Sequence, residues 1–341
     1  MLTVRENAML AYQHKQPEWI PVFGMDIACI MAHPEIERWN GFGTGKDYFG
    51  IDWEYVPDVK APMTIAGHEV LEDITEWKEK VHFPDLEAID WEKSAERDTH
   101  MNAMAFQAGA QVVPMYPDGS SVYDHDQLIL CMVINGPFER LHALMGFENS
   151  LAALLEEPEA CYDFFGAMAD YKIKYFEKIH QYYKVDIINA HDDFGANDRM
   201  FMSLDTWRKL LKPHLARTVE AVHDMGLLYQ HHSCGYVEPL IDDLVEIGVD
   251  ALDPLQAGNK AVPEMKKRLN NKLTFLGGFD NQGCFDIPNP RKEDVIKEYH
   301  RVIDSLAPGG SYVEFFSSFN MDVMQWIVEE HMKYGKDFYK R

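Results

Sequence analysis

His232 and Cys234 stand two positions apart in the stretch 229–235, Tyr-Gln-His-His-Ser-Cys-Gly. Here an apolar run (Gly226, Leu227, Leu228) gives way to a helix-like pattern over 237–247 that Gly248 stops. A histidine and a cysteine separated by one residue at a strand end can turn toward the same point, and neutral imidazole with thiolate is a donor pair that suits zinc. The competing reading makes Cys234 a small buried hydrophobe and leaves the histidines to hydrogen bonding. Two donors alone do not decide between them, so the elements that would position them matter.

From residue 111 onward short apolar runs alternate with helical patterns, the signature of repeated βα units. Strands are expected at 111–115, 129–135, 185–191, 227–233, 250–254, 273–279 and 311–316, and 21–25 brings the number to eight. Helices are expected between them. Ser203 caps a segment running toward Gly226 with Pro213 inside it as a kink, a second fills 150–182, and a third opens at Pro288-Asn-Pro-Arg and stops at Pro308-Gly-Gly. Eight parallel strands with intervening helices predict an α/β fold, a (β/α)8 TIM barrel forming one domain over 1–341. A doubly wound open sheet is the alternative, but no Gly-x-Gly-x-x-Gly loop follows an early strand. The first two expected strands lie too far apart for an ordinary connection. Residues 28–110, with Trp39, Trp53, Trp77 and Trp91, are therefore expected as an inserted lid or flank whose aromatics fill its own core.

Barrels of this kind carry their chemistry at the carboxyl-terminal ends of the strands. On these boundaries that face gathers Asp26, Asn135, His191, Asp192, Asp193, His232, Cys234, Asp253, Gln256, Asp280 and Glu314. Any one of them alone is more easily a loop cap than a catalyst, but their recurrence at successive strand ends points to a site. His232, Asp193 and Asp280 are the expected catalytic groups, and Asp26, Asn135, His191 and Gln256 the expected substrate contacts. Cys284, beside Asp280, is a weaker second thiol.

Composition excludes several classes. A net charge of -24 leaves no basic footprint for nucleic acid or an anionic membrane surface. Five cysteines without paired spacing argue against a disulfide framework and for a reducing, cytoplasmic setting. No apolar run reaches membrane-spanning length.

The order of landmarks resembles the uroporphyrinogen decarboxylase superfamily, (β/α)8 barrels that include the cobamide-dependent methyltransferases. The matching stretches are the opening Met-Leu-Thr-Val-Arg-Glu-Asn, His191-Asp-Asp-Phe-Gly, the helix start at Ser203–Pro213, and His232-Ser-Cys-Gly. Further matches are Leu240-Ile-Asp-Asp-Leu-Val-Glu-Ile-Gly-Val-Asp, Asp253-Pro-Leu-Gln and Gly277-Gly-Phe-Asp-Asn-Gln, so that the resemblance covers about 130–320 with a weaker match at the start. True porphyrinogen decarboxylases carry an arginine-rich signature for a substrate with many carboxylates. The equivalent stretch 21–31 here, Pro-Val-Phe-Gly-Met-Asp-Ile-Ala-Cys-Ile-Met, has no arginine.

The resemblance to the methyltransferase branch implies a zinc held by His232 and Cys234. The family's further cysteine is missing, because the corresponding stretch reads Phe315-Phe-Ser-Ser-Phe-Asn. Glu314, Asp193 or His191 is then expected to complete the set, with Glu314 the first choice. A centre poorer in sulfur is a stronger Lewis acid, suited to an ether or alcohol oxygen rather than to a thiol nucleophile. The resemblance thus implies a transferase that moves a methyl group from a small methoxylated or otherwise methylated substrate to a cobamide on a partner corrinoid-binding protein, plausibly an O-demethylase component; an oligomer is compatible with it. The alternatives are a cofactor-independent decarboxylase or lyase and a non-catalytic barrel that binds a ligand or a corrinoid partner.

Overall fold

The computed structural model describes residues 2–39, 41–103 and 113–341. Seven parallel strands form one curled sheet in the order β1 (Ile27–Ile30), β5 (Leu128–Val133), β6 (Ile187–His191), β7 (Leu228–His232), β8 (Ala251–Leu255), β9 (Thr274–Gly277) and β10 (Tyr312–Val313). Between β1 and β5 the chain builds a separate antiparallel sheet from β2 (Thr44–Lys46), β3 (Asp52–Val56) and β4 (Ala61–Thr64).

Both edges of the large sheet meet at Pro21–Phe23. Val22 and Glu314 form a parallel bridge, and Phe23 forms another with Ile27. The Glu314 N–H donates to the Pro21 carbonyl and the Phe23 N–H to the Glu314 carbonyl, each at 2.8 Å.

Two expected strands differ from this arrangement. The 21–25 strand shrinks to those bridges, because the chain turns at Gly24 (φ 84°) and restarts as β1. For the expected strand at 111–115, residues 111 and 112 lie outside the described residues, and Pro114 pairs only antiparallel with Met101 in an isolated bridge. The strand beside β5 is instead Ile27–Ile30, four consecutive buried residues of which the last three fall within the expected 28–110 insertion. The long excursion therefore runs from 31 to 127.

Alternation along the strands divides the apolar residues into two cores. Ile27, Cys29, Leu128, Leu130, Ile187, Ala251, Leu276 and Val313 point inward, where they meet Ala8, Ala11 and Tyr12 of the helix Val4–Tyr12. That helix starts with a capping box, Thr3 with Glu6. The alternate residues Ala28, Ile30, Ile129, Cys131, Ile188, Tyr229, Leu252, Phe275 and Tyr312 face the surrounding helices. Ser203 caps the helix Leu204–Leu210 as expected, but Pro213 opens a new helix, Lys212–Asp224, instead of kinking one. The region 150–182 is likewise two helices, Phe147–Glu156 and Pro158–Tyr182. Among the described residues no helix is long and apolar enough to cross a membrane.

The excursion packs on the helix Pro158–Tyr182 through aromatic pairs: Phe49 with Tyr171, Trp77 with Phe164, and Trp91 with Tyr175, with centroids 5.5 to 5.8 Å apart. A buried ionic network ties it to the helices Pro137–Met145 and Pro158–Tyr182. Arg140 donates to Asp47 and to Glu37 at 2.8 Å each, and Lys172 reaches the other Glu37 oxygen at 2.6 Å. All four side chains are at most 4% exposed. Removing one partner of such a network strands an uncompensated buried charge. Arg140→Met should therefore lower unfolding stability by roughly 3–5 kcal/mol in urea titrations, whereas Arg199→Met, which breaks an exposed pair with Asp198, should leave the urea midpoint close to that of the parent protein.

Candidate active site

Parallel register places His191, His232 and Asp253 side by side, since His191 pairs with His232 and His232 with Asp253. All three follow the inward phase of their strands, together with Asn189 and Gln230 two residues earlier. The two imidazoles stack, with centroids 3.7 Å apart and planes inclined by 5°. Asp253 holds this layer together. Its Oδ1 accepts from Asn189 Nδ2 and Gln230 Nε2, and its Oδ2 contacts His232 Nδ1, all at 2.7 Å. Tyr12 donates to Gln230 from below at 2.5 Å. His231, out of phase, stacks on Phe194 in the helical layer.

With Nδ1 held by Asp253, His232 turns Nε2 toward Cys234 Sγ at 3.5 Å and toward Asp193 Oδ1 at 3.8 Å. Asp193 Oδ1 also accepts the Cys234 backbone N–H at 2.7 Å. Asp193, His232 and Cys234 each offer one donor atom, all within 4.8 Å of one another, and they are the one such group among the described residues. Burial opposes a charge on His232, but Asp253 and Cys234 outweigh it and raise its pKa well above the usual value. Burial raises the Cys234 pKa, with His232 opposing.

The loops after β6 and β7 meet because two glycines allow it. At Gly235 (φ +81°) an added Cβ would lie 2.1 Å from the Gly195 carbonyl oxygen, and at Gly195 it would lie 2.6 Å from the Tyr236 nitrogen. The Tyr236 N–H donates to the Ala196 carbonyl at 2.7 Å. The Gln256 Oε1 accepts the Gly235 N–H at 2.8 Å.

Of the other expected residues, some belong to this region and some do not. His191 is buried in the layer, its pKa lowered by burial first and then by the charge of His232. Asp192 caps the helix Pro137–Met145 by accepting from Phe138 and Glu139 N–H. Asn135 donates to the Glu37 carbonyl. Gln256 and Asp280 line a neighbouring cleft, where Asp280 accepts the Gly283 N–H at 2.7 Å and lies outside the donor triad. Burial raises the Cys284 thiol to about 11.

Asp26 is misplaced by the sequence reading. It precedes β1, on the amino-terminal side of the strand, and accepts the Val22 N–H at 2.7 Å. Glu314 is misplaced too. Val313 takes the inward phase of β10, so Glu314 faces the helical layer, fully buried, with Tyr299 at 2.8 Å and His331 at 2.9 Å.

Three residues were missed. Arg38 lies where its charge acts on Glu139, Asp193 and His142, and packs 5.1 Å over the Trp53 ring. The Glu139 Oε2 is buried and accepts no hydrogen bond. Burial raises this carboxyl to about 7, with Asp193 adding and Arg38 and His232 opposing. Burial also pushes His142 down to about 4. Helix spacing 139–142 gave one signal, but nothing in the sequence tied that helix or Arg38 to the strand ends.

The family model for uroporphyrinogen decarboxylase (URO-D) matches residues 121–317. The chain belongs to this family. Among curated proteins none matches the chain. A solved methyltransferase from Methanosarcina mazei is similar at 14% identity and a TM-score of 0.63, covering 98% of this chain and 99% of its own. An intracellular xylanase from Thermoanaerobacterium saccharolyticum is similar at 11% identity and a TM-score of 0.33, over 60% of this chain and 75% of its own.

The glycine contact can be tested. Gly235→Ala combines positive φ with a backbone clash and should cost roughly 2–4 kcal/mol in denaturant unfolding. Gly226→Ala, at φ +76° with nothing within 4 Å, should cost about 1 kcal/mol.

Proposed function

We propose that this protein is a substrate:corrinoid methyltransferase that removes a methyl group from a small methoxylated compound and passes it to a cob(I)amide on a partner corrinoid protein. The observation that carries the reading is the Asp193, His232 and Cys234 triad at the strand ends, with the URO-D family and the fold shared with a methyltransferase in support. We read the curled sheet as a (β/α)8 barrel completed by Pro21–Phe23, with the excursion as a flank of one domain.

The triad fits zinc. Tetrahedral bonds of about 2.0–2.1 Å to nitrogen and 2.3 Å to sulfur put the two donors roughly 3.5 Å apart, and His232 Nε2 and Cys234 Sγ are 3.5 Å apart. Asp253 on Nδ1 is the carboxylate partner that a metal-bound histidine uses to hold its tautomer. Three protein donors leave a position for substrate. A zinc bound there supplies a Lewis acid for the ether oxygen.

The chain's own groups do the rest. Asp193 holds the Cys234 loop through the backbone N–H and keeps the two donors facing His232. Glu139, with its pKa raised to about 7 and an unpartnered Oε2, carries a proton in a substantial share of the molecules at neutral pH. As the methyl group leaves, that proton passes to the departing oxygen, so that the products are an alcohol or phenol and the methylated cobamide. Gln256 and the Asp280 cleft supply polar contacts to the substrate.

Elemental analysis should find one zinc per chain, lost in Cys234→Ser and His232→Ala. With cob(I)alamin as acceptor, absorbance should report methylation from a panel of aryl and alkyl methyl ethers. Glu139→Gln should lower kcat about 10²-fold with KM little changed. Equal near-zero zinc in all forms would remove the metal, and no methylation by any ether, amine or alcohol would favour the lyase or binding-protein reading.

A further inference from the structure

Three cations where the 31–127 excursion meets its neighbouring helices behave in two ways. Arg140 and Lys172 are buried and ion-paired to Glu37 and Asp47, although the Arg140 Nε, like that of Arg38, has no hydrogen-bond partner. Arg38, the next residue after Glu37, makes no ion pair and no side-chain hydrogen bond to any described residue, and its Nε is buried without a partner. Leaving a guanidinium undischarged in a partly enclosed place is costly unless something meets it there.

Its position is not an accident of a loose loop. Glu37 is gripped at its carbonyl by Arg140 at 2.8 Å and by Asn135, and at both carboxylate oxygens by Arg140 and Lys172. Trp53, under the guanidinium, is itself tied to Asp47 at 3.1 Å. The backbone before Arg38 and the ring beneath it are thus held in place. The charges acting on its guanidinium are those of Glu139, Arg140, Asp193 and Glu37, and its own charge acts on His142 and His191, so that it lies between the buried network and the candidate site. Neither Glu139 nor Asp193 forms an ion pair with it: Asp193 is held by the Cys234 N–H, and the Glu139 Oε2 has no hydrogen-bond partner.

A guanidinium prepositioned in this way is the complement of a carboxylate, which it binds through two parallel N–H···O bonds. We propose that Arg38 anchors a carboxylate carried by the methyl-bearing substrate, so that the site takes small methoxylated acids in preference to neutral methyl ethers. The proposal rests on the methyl-transfer reading for what the ligand carries, but the anion contact is separable from it. Arg38 acts in binding and orientation, remote from the bond that breaks.

Isothermal titration of the full-length, zinc-loaded protein tests this without any corrinoid partner. The probes are matched pairs, para-methoxybenzoate with para-methoxybenzyl alcohol and methoxyacetate with methoxyethanol. The wild type should bind each acid roughly 10- to 100-fold more tightly than its alcohol, as expected for a charge-assisted pair. Arg38→Gln should abolish that ratio while leaving the alcohol affinity, zinc content and melting temperature unchanged. Arg38→Lys should retain part of it, and carries the test by itself if the glutamine variant does not fold. An unchanged ratio in the variants, equal affinity for acid and alcohol in the wild type, or no binding of either acid would overturn the proposal. A ratio that behaves as expected in a protein that methylates nothing would instead sink the methyltransferase reading and leave the Arg38 contact standing.

Discussion

The carboxylate of Asp253 is the constraint on which the site depends. It sits on the inward phase of β8 and collects Asn189 from β6, Gln230 and His232 from β7. A buried carboxylate with three partners at 2.7 Å satisfies itself only if the three strands keep their parallel register. A slip of one residue would send His232 outward and bring His231 in. The same bond settles the chemistry of His232. Nδ1 is occupied, so Nε2 is the nitrogen left to face Cys234 and Asp193. Fold and reactivity are therefore joined in one side chain, and the polar layer lies directly above the apolar inner core that Tyr12 seals from below.

Around this rigid layer the mobile-looking parts are tied by close backbone contact and by ions. Gly195 and Gly235 let two loops touch where any side chain would hold them apart, and that contact brings Asp193 to the Cys234 N–H. The Glu37, Asp47, Arg140 and Lys172 network does the corresponding work for the excursion. It carries Arg38 to the site from a segment remote in sequence. The ends of β6 and β7 supply the metal-type donors, the helix that Asp192 caps supplies Glu139, and the excursion carries Arg38.

How much of this could be read beforehand follows from which signals are local. Periodicity and turn residues located six of the sheet's strands within a few residues, and the His-x-Cys spacing pointed at the donor pair. Two errors came from phase and boundary. Asp26 was counted at a strand's far end because the Gly24 turn splits an apolar run into a bridge and β1. Glu314 was counted inward because β10 is two residues long, too short for alternation to declare itself. Arg38 and Glu139 were beyond reach for a different reason. Their role depends on tertiary contacts, an excursion folding back and a helix start, which no local pattern encodes. The absence of arginine from 21–31 was a true observation, but the cation of the site lies just past it.

On the proposed reading, the position of Arg38 also argues against a substrate with many carboxylates. A substrate with many carboxylates needs several guanidinium or ammonium groups in one pocket. Here Arg140 and Lys172, the other buried cations nearby, are already neutralised by Glu37 and Asp47. Among the described residues near the site, Arg38 is then the cation left without an ion-pair partner, facing Asp193 and Glu139, in a chain of net charge -24. A polyanion would meet repulsion that one arginine cannot offset, whereas a small monoanion meets one matched partner. Burial raises the Glu139 carboxyl to about 7, so that the protonated form is well populated near neutrality and the negative charge there is reduced. On the proposed reading the acid and the anion-binding cation are compatible in one pocket, because a carboxylate held by Arg38 would itself favour the protonated form of Glu139.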